Sequence, residues 1–194
     1  EYKNGSYLFF DTETTGLPKN WNASVTDLDN WPRLVQLAYL FYDKNGNRIT
    51  GGSFIIKPQG FQISAEVSKV HRISHYKALT EGREIKEVLQ EFYGLLNKAE
   101  FLVAHNIAFD EKIMGAEFLR ANYKYPFSEK KKICTMKSST DYCAISGAFG
   151  YKYPKLSDLY FKLFRESLNE AHDASVDIEA TAKCFWALRR LDKI

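Results

Sequence analysis

The chain has 194 residues, a formal net charge of +3, and 45% hydrophobic and 26% charged residues. That length predicts one domain, residues 1–194, able to hide roughly 70% of its unfolded surface, and the ordinary composition excludes disorder and fibrous repeats. No apolar run approaches the ~20 residues that cross a bilayer and no signal-peptide pattern opens the chain, so we expect no membrane partner and a cytoplasmic location. In chain order, YLFF (7–10) reads as a strand running straight into the acidic DTET. A second strand is expected over 33–42, and Asn45-Gly46 marks a hairpin turn before a third, GSFIIK. From Ser64 the period becomes helical, and in 85–99 it puts Val88, Phe92, Leu95 and Leu96 on one face. FLVAHN (101–106) predicts a buried strand, 109–121 a helix, KKICT (131–135) a last strand, and 156–164 and 173–191 closing helices. The order predicts an α/β fold, a mixed five-stranded sheet flanked by helices.

Cys134, Cys143 and Cys184 are an odd number without a CxxC pair, which predicts reduced thiols rather than a disulfide framework or a zinc site. Residues 17–32 form a long polar connection carrying Trp21 and Trp31, read either as a functional loop or as a surface excursion pinned by its tryptophans. The run Lys130–Lys132 and the aromatic, basic stretch 141–155 read either as nucleic-acid contacts or as a solvated face and a packed loop.

Asp11 and Glu13 lie two apart on the first strand, so both carboxylates point to one face. Chance produces such a pair in about every second chain of this length. Its position after four apolar residues is what singles it out, because a buried strand end carrying two like charges needs a cation or solvent to compensate. Asp110 opens the helix after FLVAHN, where taken alone it reads first as a carboxylate favoured by the helix dipole. In HDASVD, Asp173 is placed to cap a helix, leaving His172 just outside and Asp177 one turn in. If these elements share one sheet edge, four carboxylates converge there. Their mutual repulsion amounts to several kcal/mol, for which hard cations with oxygen ligands, magnesium or manganese, are the remedy.

FFDTETTG (9–16), HNIAFD (105–110) and HDASVD (172–177), in that order, resemble the three motifs of the DnaQ-like, or DEDDh, 3′–5′ exonucleases. The resemblance runs from about Tyr7 to Leu188 and implies a ribonuclease H-like fold. It further implies that Asp11, Glu13, Asp110 and Asp177 hold two Mg²⁺ or Mn²⁺ ions and that His172 is the general base, releasing nucleoside 5′-monophosphates from single-stranded 3′ ends. An imidazole suits that role because it takes up a proton near neutral pH. EVSKVHRIS (66–74) resembles the family segment that meets the terminal nucleotide, which implies contacts from His71 and Glu66. Many relatives carry glycine where this chain has Arg72. Thr15, Gly16, Leu17 and Phe109 are further candidates for the last base, although Phe109 reads first as a core residue. His75 is expected at the surface and His105 behind the site.

DNA is taken ahead of RNA, although no motif reads the 2′-hydroxyl. A polymerase or replication partner is compatible with the resemblance, as is a catalytically silent nucleic-acid- or polymerase-binding module. Oligomeric state is not legible. Two-carboxylate glycoside hydrolysis fits poorly, since it needs acids flanking a bond from opposite sides.

Overall fold

A computed structural model describes residues 5–169 and 172–194. The elements in chain order are β1 (Tyr7–Thr14), β2 (Leu34–Tyr42), β3 (Arg48–Ile55), α1 (Ala65–His71), α2 (His75–Glu81), α3 (Ile85–Lys98), β4 (Phe101–Ala104), α4 (Ile107–Arg120), β5 (Lys131–Cys134), α5 (Thr135–Ser138), α6 (Thr140–Cys143), β6 (Ser146–Gly147), β7 (Gly150–Tyr151), α7 (Leu156–Phe164) and α8 (Ala174–Arg190). The first five strands form one sheet in the order β3-β2-β1-β4-β5. β1 pairs antiparallel with β2 and parallel with β4, β2 pairs antiparallel with β3, and β4 parallel with β5, so the sheet is mixed as expected.

Period-two alternation along β1 sorts its side chains between two cores. Leu8 and Phe10 join Val88, Phe92 and Leu96 of α3 and Ile113, Met114 and Phe118 of α4. Tyr7 and Phe9 turn the other way, onto Ala174, Ile178, Ala182 and Phe185 of α8. All four of these β1 residues are fully buried, each worth roughly 1.5–3 kcal/mol relative to exposure. β1 is therefore covered on both faces, and its unpaired chemistry is confined to the end where the apolar run stops.

Strand and helix boundaries mostly follow the expected ones, apart from the short helices α5 and α6, the start of β3 and one extra hairpin. β3 starts at Arg48, upstream of the expected GSFIIK, because β2 stays extended to Tyr42 and offers its backbone to Arg48 and Thr50. The stretch 141–155 contains a short hairpin, β6–β7, that its mixed composition did not signal. The 17–32 connection has no strand or helix of its own but is tightly held. The Trp31 indole is buried and its Nε1 donates to the Ser24 carbonyl (2.9 Å), while Arg120 Nη2 donates to the Leu28 and Trp31 carbonyls (2.7 and 2.9 Å).

Candidate active site

The same alternation that buries Phe9 toward α8 aims Asp11 and Glu13 toward α8 as well, and the facing helix carries Asp177. Thr12 continues the Leu8–Phe10 face, toward α4. There its hydroxyl and its backbone N–H both donate to Asp110 Oδ1, at 2.7 and 3.1 Å. Asp110 sits in the first turn of α4 and is 2% exposed. Thr12 thus ties the α4 carboxylate to the strand that bears the other two acids.

The third contribution depends on the start of α8. Asp173 caps it, accepting from Ser175 N and Ser175 Oγ at 2.9 and 2.7 Å. Gln36 lies opposite Glu13 in the β1–β2 register. Its amide nitrogen donates to Asp173 Oδ1 (3.1 Å) and its amide oxygen accepts from Ala174 N (3.0 Å), which pins the helix N-terminus to the sheet. His172, just before the cap, is exposed and has left-handed backbone geometry with φ of 43°. Such geometry in a non-glycine residue costs about 1–3 kcal/mol and persists where the surroundings impose it. Asp177 follows one turn into the helix. The ligand atoms of Glu13, His172 and Asp177 lie within 4.8 Å of one another, and His172 and Asp177 line a cleft of about 300 Å³ with Lys155, Leu156 and Leu168.

Electrostatically this arrangement is uncomfortable by itself. Burial, then the charges of Asp110, Asp177 and Glu13, hold the Asp11 carboxyl well above the usual carboxylate range. Burial and the Asp177 and Asp110 charges push Glu13 up to about 8. Asp110 is also raised, chiefly by burial, with the two Thr12 hydrogen bonds working against the rise. Asp11 Oδ2 is buried without a hydrogen-bond partner. Buried native oxygens are almost always satisfied, so an orphan beside three like charges needs a cation to balance it. The donor set, carboxylate oxygens with one imidazole and no thiolate, fits a hard divalent ion and not a structural zinc site.

Other candidates are placed less uniformly. Thr15 is half-buried and tied to Arg33, just before β2, its Oγ1 accepting from Arg33 N and its N–H donating to the Arg33 carbonyl (both 2.9 Å). Gly16 follows it, and its carbonyl accepts from Thr14 Oγ1 at 2.7 Å. Leu17 is 73% exposed. Phe109 is half-buried, with Trp21 against its ring at 5.5 Å. His71 ends α1 buried, its Nδ1 accepting from Ile73 N (3.2 Å). Its Nε2 makes no hydrogen bond of normal geometry, although the Thr14 carbonyl and His172 are close enough to act on its charge. Glu66 is exposed in the first turn of α1, and no hydrogen bond or ion pair among the described residues ties it to the carboxylates. Arg72 is left-handed (φ 62°) and closes α1 with its N–H on the Ser68 carbonyl (2.8 Å). His75, expected at the surface, is instead half-buried, because its Nδ1 accepts from Ile63 N (3.2 Å). His105 bridges Thr135 Oγ1 and the Pro154 carbonyl, both at 2.9 Å; the carbonyl can only accept, so Nε2 carries the proton. Lys131 and Lys132 pair with Glu100 and Glu111 (3.0 and 2.7 Å), the solvated-face reading of the lysine run.

Three residues essential to this geometry went unnoticed in the sequence. Thr12 was hidden between the acids, although strand alternation points it away from them. Gln36 is one polar residue in an apolar strand, an anomaly that pattern reading could have flagged. Glu117 is 2% exposed in the last turn of α4. Its carboxylate accepts from Arg33 Nε (2.9 Å), Arg120 Nη1 (3.0 Å) and Leu34 N (3.1 Å), anchoring the far end of the 17–32 loop.

The chain matches known proteins along nearly its whole length. The RNase_T family model, described as Exonuclease, matches residues 8–185. The chain is similar to DNA polymerase III PolC-type of Streptococcus thermophilus, 31% identical over 96% of this chain and 11% of that protein. It is also similar to the PolC-type polymerase of Streptococcus agalactiae, 32% identical over 93% and 11%. It spans about a tenth of the length of these relatives. E. coli exonuclease I in complex with a dT13 oligonucleotide shares the fold, with a TM-score of 0.75 at 19% identity over 97% of this chain and 43% of that one. The zinc-ion-bound form of the same enzyme with single-stranded DNA superposes with a TM-score of 0.74 at 19% identity, over 97% and 41%. The sheet and its flanking helices are thus the ribonuclease H-like arrangement, and the chain belongs to the DnaQ-like exonuclease family, a family of nucleases.

Proposed function

We propose that residues 1–194 form one exonuclease unit. It would remove nucleotides one at a time from the 3′ end of single-stranded nucleic acid, DNA ahead of RNA, and release nucleoside 5′-monophosphates. The observation that carries this reading is the convergence of four carboxylates from three distant stretches, one of them with a buried orphan oxygen. Asp11, Glu13, Asp110 and Asp177 would hold two Mg²⁺ or Mn²⁺ ions. When bound, such a pair stabilises the charge on both the attacking and the leaving oxygen of an in-line displacement.

The chain's own groups supply the rest. His172 stands exposed at the rim of the cleft and accepts the proton of the attacking water. A ligand atom of its ring lies within 4.8 Å of carboxylate oxygens of Glu13 and Asp177, so the base stands next to the acids that would hold the ions. The water oxygen bonds to the terminal phosphorus while the bond to the 3′ oxygen of the preceding nucleotide breaks, leaving that strand one residue shorter. Thr12 holds Asp110 and Gln36 holds the α8 N-terminus, so the carboxylates are in place before substrate arrives. Thr15, Gly16, Leu17, His71 and Phe109 surround the position for the last nucleotide; Glu66 is a weaker member of that set. The polymerase relatives make a replication partner a natural companion for this activity. The test is a 5′-labelled single strand incubated with magnesium. A ladder of shortened products that disappears in Asp11→Asn is expected, and no ladder, or one that survives the substitution, refutes the proposal.

A further inference from the structure

The segment 145–155 is unusual in leaving three large aromatic rings in water while fastening the backbone that carries them. β6 and β7 are joined by a two-residue turn, Ala148-Phe149, with Gly150 left-handed at φ 117°. That turn throws Phe149 clear of the molecule, fully exposed, and Tyr151 and Tyr153 beside it are 56% and 58% exposed. None of the three has a ring partner among the described residues. Single exposed aromatics need no explanation, but three within five residues on a braced backbone are different. Lys152 N donates to the Ile145 carbonyl (2.9 Å), Pro154 is buried with its carbonyl on His105 Nε2, and Lys155 N donates to Asp158 Oδ2 (2.9 Å).

The location gives the rings a use. Lys155 at the end of this strap lines the cleft that contains His172 and Asp177. From Phe149 to Lys155 is six residues, at most ~20 Å of chain. Leu168 also lines a larger depression, about 560 Å³, together with Ile145, Phe161, Lys162 and Arg165. Residues 145–165 include four basic side chains and one acid, a balance equal to the +3 of the whole chain, and that acid, Asp158, is occupied with the Lys155 amide. Positive charge and exposed rings beside a nuclease cleft are the two components of a sequence-tolerant single-strand site.

We infer that Phe149, Tyr151 and Tyr153 form a stacking platform for bases upstream of the scissile bond, with Lys152 and Lys155 meeting the phosphates between them. This deepens the proposed exonuclease reading and rests on it. The backbone that carries the rings is already braced, so stacking orders little more than the aromatic side chains themselves. The platform engages only substrates long enough to reach it.

The experiment compares the intact chain with Phe149→Ala/Tyr151→Ala/Tyr153→Ala and with Phe149→Trp. Binding of fluorescein-labelled dT12 is followed by anisotropy in EDTA, and turnover of dT12 and of the dinucleotide pTpT is followed in magnesium. The triple variant is expected to bind dT12 at least about tenfold more weakly, the size of a lost base–aromatic stack. It should cleave pTpT at the unaltered rate, and Phe149→Trp should bind dT12 like the original chain. Unchanged dT12 affinity in the triple variant, or equal losses on dT12 and pTpT, overturns the platform. Absence of all cleavage by the original chain would instead overturn the exonuclease reading, while the EDTA binding data still decide the platform.

Discussion

Replacing Glu13 with glutamine should make the metal-free protein more stable, and the gain should depend on pH. Burial and the facing carboxylates raise Glu13 from 4.5 to about 8. A folded state that holds a proton more tightly than the unfolded chain is favoured at low pH. The contribution is complete below about pH 4.5 and is lost as the pH rises through about 8. Glutamine keeps the shape and removes the charge. The Glu13 and Asp177 oxygens lie within 4.8 Å of each other, so their repulsion is about 3.5 kcal/mol at an effective dielectric of 20. Water at the half-open rim reduces the net gain to about 2 kcal/mol. At 194 residues each kcal/mol moves Tm by about 2–4 °C, giving a rise of about 4–8 °C. Thermal melts in EDTA at pH 5 and pH 8.5 measure it: the variant should melt higher at pH 8.5 and together with the original chain at pH 5. Added magnesium should raise Tm of the original chain more than that of Glu13→Gln. A variant less stable at pH 8.5, or a difference of the same size at both pH values, refutes the electrostatic account.

Glu117→Ala leaves Arg33 and Arg120 facing a vacated buried position and should cost about 3–5 kcal/mol. Chemical denaturation reads the loss, and faster proteolysis within 17–32 should accompany it; a change under 1 kcal/mol would show that the ion cluster does not hold the loop. Arg72→Gly relieves a left-handed backbone at the end of α1 and should add about 0.5–1 kcal/mol in the same denaturation assay. A loss of stability there would mean that the arginine side chain does more than close the helix.

Much of the site was legible because its parts sit where periodicity is strong. Four apolar residues before DTET made β1 a buried strand, and alternation alone put Asp11 and Glu13 on one face. Asp173 announced the start of α8, and Asp177 followed at a fixed helical offset. The roles of Thr12, Gln36 and Glu117 were not legible, even where Gln36 stands out as polar in an apolar strand, because each acts through a partner 83 to 138 positions away in the chain, and a local window contains no trace of that partner. The β6–β7 hairpin escaped for a different reason: its strands are two residues long, too short for alternation to register.

Element order, the apolar stripes and the donor types of the cleft were present in the linear chain, because helix and strand periods and side-chain chemistry are local properties. Proximity is not local. Only the folded sheet decided that α4 and α8 deliver their acids to the same end of β1, that Asp11 Oδ2 is left without a donor, and that the rings at 149–153 are exposed, on the segment leading to the cleft-lining Lys155, rather than in the core. Burial then altered the chemistry itself, since the same carboxyl that ionises freely in an unfolded chain holds its proton when water is removed and like charges close in.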